Sequence, residues 1–266
     1  MIARLAAGTV WCMLAPLGAQ AGSINALFDQ DNLPYSSRTA SLPGLYVDIA
    51  QLIAVSMGAE LIPHWADTED TGVLSPLLEE DATIDVVVGV PVEPRTVEDE
   101  QRVGNRVAYS KPFASAGYRV VTARGHSALP DLKAMGLSKV GVETGSVAGL
   151  RLWDDGFVVD ARPTQAAILD GLLKGALEFG VAWGNVEWII GNDPRYRDRL
   201  AVQAVMPDFE GMRWNLAVAV RKDDAAQLKR VNEAVDALLA SGVLKQVFAR
   251  YNMTCLDPVD LEDRTE

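Results

Sequence analysis

Ile84-Asp85-Val86-Val87-Val88-Gly89 sets three β-branched residues in a row and ends on a glycine, with Pro91 two positions further on. Neighbouring residues on a strand point to opposite faces, so consecutive valines require an apolar environment on both sides of the sheet. This is the pattern of an interior strand in a sheet covered by helices. Similar short apolar runs occur at Ile24–Phe28, Arg119–Thr122, Lys139–Val142, Gly180–Trp183 and Trp214–Val220, most of them bounded by Gly, Pro or charged turns.

Helical patterns lie between these runs. Asp48 to Met57 puts Ile49, Leu52, Ile53 and Met57 on one face, and Gly58 stops it. Thr164 can cap a helix carrying Ile168, Leu172 and Ala176. Asp223 or Asp224 opens another, whose apolar stripe Leu228, Val231, Val235, Leu238 and Leu239 ends at Gly242. Strands alternating with helices define an α/β architecture with largely parallel sheets. Two such series appear, Ile24 to Phe113 and Lys139 to about Ala204, and the pattern alone fits one doubly wound sheet as well as two lobes.

The chain has 266 residues, a formal net charge of −12 and 49% apolar residues. That composition sets aside disordered and fibrous classes, and the acidic balance works against nucleic acid and anionic lipid as partners. Met1 to Arg4, the apolar run Leu5–Gly18 and the small-residue site Ala19-Gln20-Ala21 read as a secretory signal peptide over 1–21. No later apolar stretch is long enough for a membrane span, so a product with no membrane insertion after signal cleavage is expected in the periplasm. Cleavage removes Cys12 and leaves Cys255 alone, which allows no internal disulfide.

Five segments, in order, carry a resemblance to the type II solute-binding proteins of amino-acid ABC uptake systems. Asp31-Asn32-Leu33-Pro34-Tyr35 resembles the end of that family's first strand. Gly44-Leu45-Tyr46-Val47-Asp48-Ile49-Ala50 resembles its G-F-x-V-D-I-A helix start, and Ile84–Gly89 followed by Arg95 resembles its strand and T-x-E-R turn. Val107–Phe113 is similar to the F-S-x-P-Y segment, and Leu216–Asp224 to A-V-R-K-G-D. The resemblance implies a two-lobed periplasmic-binding-protein type II α/β fold with two hinge crossings. Lobe one would combine 22–118 with 219–256, lobe two would span 123–212, and 257–266 would be a C-terminal tail. It also implies a monomer that closes by hinge motion on a small-molecule ligand, with an ABC permease as partner and no cofactor.

Small-ligand recognition between lobes calls for a few convergent polar groups on apolar walls. Arg95 is the candidate clamp for a ligand carboxylate, because its guanidinium can give two parallel hydrogen bonds. A surface arginine is the alternative reading, as Pro91 and Pro94 stiffen the loop and Arg102 and Arg106 follow closely. Gly145 and Ser146 follow a strand and open a helix, whose free amides favour an anionic or carbonyl group. Asn32 and Tyr35 offer a polar contact and an aromatic wall, and Gly89 and Val90 end the lobe-one strand. The resembled family usually has an aspartate at the position of Asn185, where it holds the ligand's ammonium. Asn185 is neutral, Glu187 could supply a charge, and Val90 and Val147 replace hydroxyl-bearing residues, so a standard α-amino acid fits poorly. Trp65, Trp153, Trp183 and Trp188 are core or cleft-edge candidates.

Fold does not settle function. The segments Asp85–Pro91, Asn32–Ser36 and Val181–Gly184 are also similar to the methanol-dehydrogenase-associated members of this fold. An accessory protein of a periplasmic quinoprotein dehydrogenase is therefore the alternative. A cyclohexadienyl dehydratase-like enzyme would need a cleft carboxylate of raised pKa; Glu93, Glu143 and Glu187 form no evident pair, so no catalysis is expected. His64 and His126 read as exposed loop residues without metal-ligand companions.

Overall fold

A computed structural model describes residues 22–68, 74–79, 83–92, 106–205 and 211–260. The expected signal peptide over 1–21, together with Glu93, Arg95 and Arg102, lies outside the described residues. In chain order the elements are β1 (Gly22–Asp29), β2 (Asp31–Asn32), β3 (Ser36–Ser37), α1 (Leu45–Ser56), β4 (Ala59–Ala66), β5 (Val86–Val92) and β6 (Val107–Tyr109). Then come β7 (Ala114–Ala123), β8 (Val140–Glu143), α2 (Val147–Asp154), β9 (Val159–Arg162), α3 (Gln165–Leu173) and β10 (Phe179–Trp183). The chain continues through α4 (Val186–Asn192), β11 (Leu200–Val202), β12 (Arg213–Arg221), α5 (Ala225–Ser241) and α6 (Val243–Arg250).

Every strand expected from the sequence is present, and the valine run forms β5. Val86, Val87 and Val88 are all buried, as an interior strand requires. The strands join in the order β4-β1-β5-β12-β7-β10-β8-β9, with β11 also on β7 and β6 also on β12. The sheet is more mixed than expected. Pairs β1–β4, β1–β5, β8–β10 and β8–β9 are parallel, whereas every pair formed by β7 or β12 is antiparallel. The reason is that β7 and β12 run between the two halves of the molecule instead of closing a βαβ unit.

Two apolar cores flank those crossing strands. One packs Ile49 and Ile53 of α1, Val88, Val218, Val235 of α5 and Phe248 of α6 together. Beyond β7 a second group holds Val120, Val140, Val142, Leu152, Val181 and Met212, and a third holds Ile168, Leu172 and Ile190. Ala114 of β7 belongs to the first core and Val120 to the second; Met212 belongs to the second and Leu216 of β12 to the first. The chain thus passes between cores twice, at the places where β7 and β12 pair with each other. These are two α/β lobes joined by a pair of crossing strands.

Local signals fix the helix ends. Ser146, Thr164 and Asp224 cap α2, α3 and α5 by accepting the amides of Gly149, Ala167 and Gln227 at 3.2, 3.2 and 2.9 Å. Gly242 takes the left-handed conformation, φ 69°, that ends α5 and starts α6. Two readings need correction. The first helix begins at Leu45, a turn before Asp48. His64 is not a loop residue: it sits on β4, half-buried, with Nε2 2.9 Å from Asn25 Oδ1.

Candidate ligand-binding cleft

The cleft is walled by rings contributed from both lobes. Tyr35, on the turn after β2, stacks on Tyr46 of α1 with centroids 5.0 Å apart and planes at 22°. The Tyr46 ring lies flat against Gly89. A Cβ built on Gly89 would come within 2.3 Å of it, and Gly89 has φ +84°. The β5–β12 register slips at this residue, so Gly89 forms a bulge whose backbone only glycine adopts without strain and whose bare Cα admits the ring.

From lobe two, Trp183 at the end of β10 donates its indole Nε1–H to the Tyr35 hydroxyl at 3.1 Å. Burial pushes the Tyr35 phenol up to about 12, and the Glu187 charge adds to the rise while the Trp183 bond opposes it. Trp183 also meets Trp214 edge-on at 4.6 Å between centroids and Tyr118 at 5.5 Å. The β7–β10 register puts Tyr118 opposite Trp183, and the β7–β12 register brings Trp214 alongside.

The other candidates are placed differently from one another. Asn32 is exposed on β2, whereas Val90 is buried in a small core with Leu27 and Leu77. Gly145 is exposed with φ +77°, and Ser146 caps α2 with its own hydroxyl. The pKa of the Tyr118 phenol is raised, chiefly by burial and further by the Glu143 charge, with the backbone amides of Ala148 and Val147 acting against the rise. Asn185 precedes α4, and its Oδ1 is buried with no hydrogen-bond partner among the described residues.

Glu187 does not offer a free charge to the cleft. Its Oε1 pairs with Arg119 Nη2 at 2.9 Å, the two side chains being only 9% and 8% exposed, and its other oxygen accepts the Thr254 amide. This pair lines a cavity of about 360 Å³, solvent-open mouth included, that Tyr35, Ser115, Gly117, Gly184 and Met253 also border. Met253, Thr254 and Leu256, from the segment after α6, also line it, and Ser115 of β7 bridges to Leu256. Tyr46, Tyr118, Arg119 and Trp214 were not singled out from the sequence. They are isolated residues on ordinary helix or strand patterns, and only strand register brings them to the cleft. Among the described residues no group of three His, Cys, Asp or Glu side chains could hold a metal ion, and no helix is long and apolar enough to cross a membrane.

Two α/β lobes with a ring-walled cleft between them, joined by two crossing strands, define a two-lobed binding protein. The sequence profile of the bacterial extracellular solute-binding proteins, family 3, matches residues 24–254, and the chain belongs to that family. Solved structures share the fold. The L-cystine solute receptor of Neisseria gonorrhoeae, unliganded and open, superposes with a TM-score of 0.72 at 14% identity over 90% of this chain and 96% of that one. The second substrate-binding domain of Lactococcus lactis GlnP, also open, gives 0.70 at 16% identity over 87% and 96%. MxaJ from Methlophaga aminisulfidivorans MPT gives 0.61 at 18% identity over 88% and 100%. No curated protein matches the chain in sequence.

Proposed function

We propose that this chain is exported to the periplasm, captures a small solute between its lobes by hinge closure, and delivers it to an ABC permease without chemical change. The observation that carries this reading is the Tyr35–Trp183 hydrogen bond, which joins the two lobes across the cleft. A solute inserted there displaces a direct lobe-to-lobe contact and replaces it with its own, so occupancy and closure are coupled. The rings of Tyr35, Tyr46 and Trp183 favour a flat or apolar body. Asn185 carries no charge, and Glu187 is neutralised by Arg119. Neither Asn185 nor the engaged Glu187 offers a free charge to a ligand ammonium, so a solute neutral at that point suits the site better. Engagement of Glu187 also leaves that carboxylate unsuited to general acid–base work, which supports binding over catalysis.

A second reading is supported by the surface beside the cleft. Val147, Leu150 and Trp153 line one face of α2 and are 42, 58 and 68% exposed. An apolar row of this kind suits docking to a protein, as an accessory of a periplasmic quinoprotein dehydrogenase would need.

The test is a thermal-shift screen of residues 22–266 against amino acids, polyamines, organic acids, alcohols and aldehydes, with tryptophan emission as a second readout. A ligand at about 100 times its Kd stabilises by about 2.7 kcal/mol. A stabilising solute that also perturbs tryptophan emission is the expected result. Silence across the panel, together with co-elution of the chain with a purified quinoprotein dehydrogenase, would replace the first reading by the second.

A further inference from the structure

We propose that Gly191 of α4 and Asn252 of the turn after α6 meet in a seam between the lobes, and that this seam sets the balance between closed and open cleft. The inference rests on the lobe motion of the solute-capture reading and goes beyond it, because no residue of the seam has to touch a solute. One side of the seam is α4. Val186 and Ile190 are buried in a lobe-two core, so the helix belongs to that lobe. The next row round the helix holds Glu187 and Gly191, four residues apart and stacked on its surface, with Trp188 beside them. The opposing side is the turn after α6. Tyr251 is buried in the lobe-one core, and Met253 packs on that core. The amides of Tyr251 and Met253 donate to the Phe248 carbonyl at 2.9 and 3.1 Å, and that of Asn252 to the Ala249 carbonyl at 3.0 Å. These bonds tie the turn to lobe one.

Contacts cross the seam at each of these α4 positions. Glu187 accepts the Thr254 amide. Trp188 reaches out of lobe two and packs, half-buried, on the lobe-one core beside Met253. Gly191 meets Asn252 with no room to spare: a Cβ on Gly191 would stand 2.6 Å from Asn252 Cβ, 2.8 Å from its Cγ and 3.1 Å from its Nδ2. The Gly191 backbone is helical and needs no positive φ, so its own conformation does not call for glycine. Glycine inside a helix is less stable than alanine, and the close approach of Asn252 is what makes the exchange worthwhile. Asn252 itself holds a left-handed conformation, φ 53°, that is uncommon for a residue with a Cβ. Tyr35, Glu187 and Thr254 line one cavity, so a motion that parts Tyr35 from Trp183 also draws α4 away from the turn. A contact made with the lobes together and lost with them apart weighs directly on the lobe equilibrium. Closure is thus held from a second place, away from the rings that face the solute.

The test uses residues 22–266 with no ligand present. Spin labels on Val55→Cys of α1 and Leu150→Cys of α2, both exposed helix positions, report the distance between the lobes in a Cys255→Ser background. Pulsed electron–electron resonance reads the ratio of long to short distances. Gly191→Ala adds a methyl group that the helix accepts and Asn252 obstructs. It should raise that ratio at least about tenfold, the factor that an overpacked methyl group carries. Asn252→Gly removes the obstructing atoms and keeps the left-handed backbone, so the double variant should return to the wild-type distribution. A helix merely damaged by Gly191→Ala would not be rescued in this way. Trp188→Ala should also lengthen the distance, and it carries the test if Gly191→Ala does not fold. A wild-type distribution in folded Gly191→Ala or Trp188→Ala, or a lengthening that Asn252→Gly does not reverse, overturns the proposal. Should the seam govern lobe spacing while the thermal-shift screen stays silent, the solute-capture reading falls and this one stands.

Discussion

Arg119 and Glu187 form the ion pair with most to lose. Both are about nine-tenths buried, and each helps to solvate the other's charge, with Glu187 accepting the Thr254 amide as well. Removing one partner of such a pair leaves an uncompensated buried charge and costs about 3–5 kcal/mol. Glu187→Gln and Arg119→Met should each destabilise the protein within that range. The double variant, which leaves no stranded charge, should cost clearly less than the two singles added together. Urea unfolding of the four proteins measures this coupling. Additive losses would mean that the pair is already solvated by other groups. The same pair explains why Glu187 was legible in sequence as a charge near the cleft but not as a spent one. Its partner is 68 positions earlier on β7, and nothing local to either residue announces the contact.

The segment after α6 was read from the sequence as a tail from residue 257, yet Asp257 and Val259 are fastened to both crossing strands. The Asp257 carbonyl accepts from Ser115 Oγ at 2.8 Å and from Arg213 Nη2 at 3.0 Å. Asn215 exchanges two hydrogen bonds with Val259, giving from Nδ2 at 2.8 Å and accepting at Oδ1 at 2.9 Å. Ser115, Arg213 and Asn215 lie where β7 and β12 pair, so this strap braces the hinge itself. Asn215→Ala removes both bonds to Val259 and should cost about 1–3 kcal/mol, with faster amide hydrogen exchange confined to residues 256–260. Unchanged exchange there would show that Asn215 does not hold the strap. Elements were legible wherever their signal was local: the valines of β5, the caps Ser146, Thr164 and Asp224, and the stop at Gly242. Several strands were not, among them the two at the sheet's edges. Ala59–Ala66 contains Pro63 and alternates poorly because it is the sheet's edge, where one side faces no partner and a proline is tolerated. Val159–Arg162 is edge strand too, with no residue fully buried. The cleft was only half legible for a related reason. Tyr35 stands out through the resemblance of its Asp31–Tyr35 segment, whereas Tyr118 and Trp214 reach the cleft through the register of strands far apart in sequence.

Five of the six tyrosines are held protonated by the fold, and this sets how the protein responds to alkali. Tyr35 is raised to about 12, and Tyr46, Tyr118, Tyr196 and Tyr251 are raised as well, in each case first through burial. Tyr251 adds a hydrogen bond to Asp48 at 2.8 Å, which favours its neutral form further. In the unfolded chain the same phenols ionise near pH 10. Below about pH 10 both states keep these protons and the contribution to stability is complete. Above it the unfolded chain releases protons that the folded one retains, so unfolding becomes progressively easier until the folded phenols also ionise. These residues span both lobes and the cleft, from Tyr46 on α1 to Tyr196 in the lobe-two core, so the loss should be global and cooperative. Melting temperature should therefore hold steady through mildly alkaline pH and then fall steeply as pH rises past about 10. Tyrosinate absorbance should lag behind that of free tyrosine and then appear together with loss of the folded circular-dichroism signal. Most of the tyrosines titrating near pH 10 in a still-folded protein would contradict the burial on which the ring-walled cleft depends.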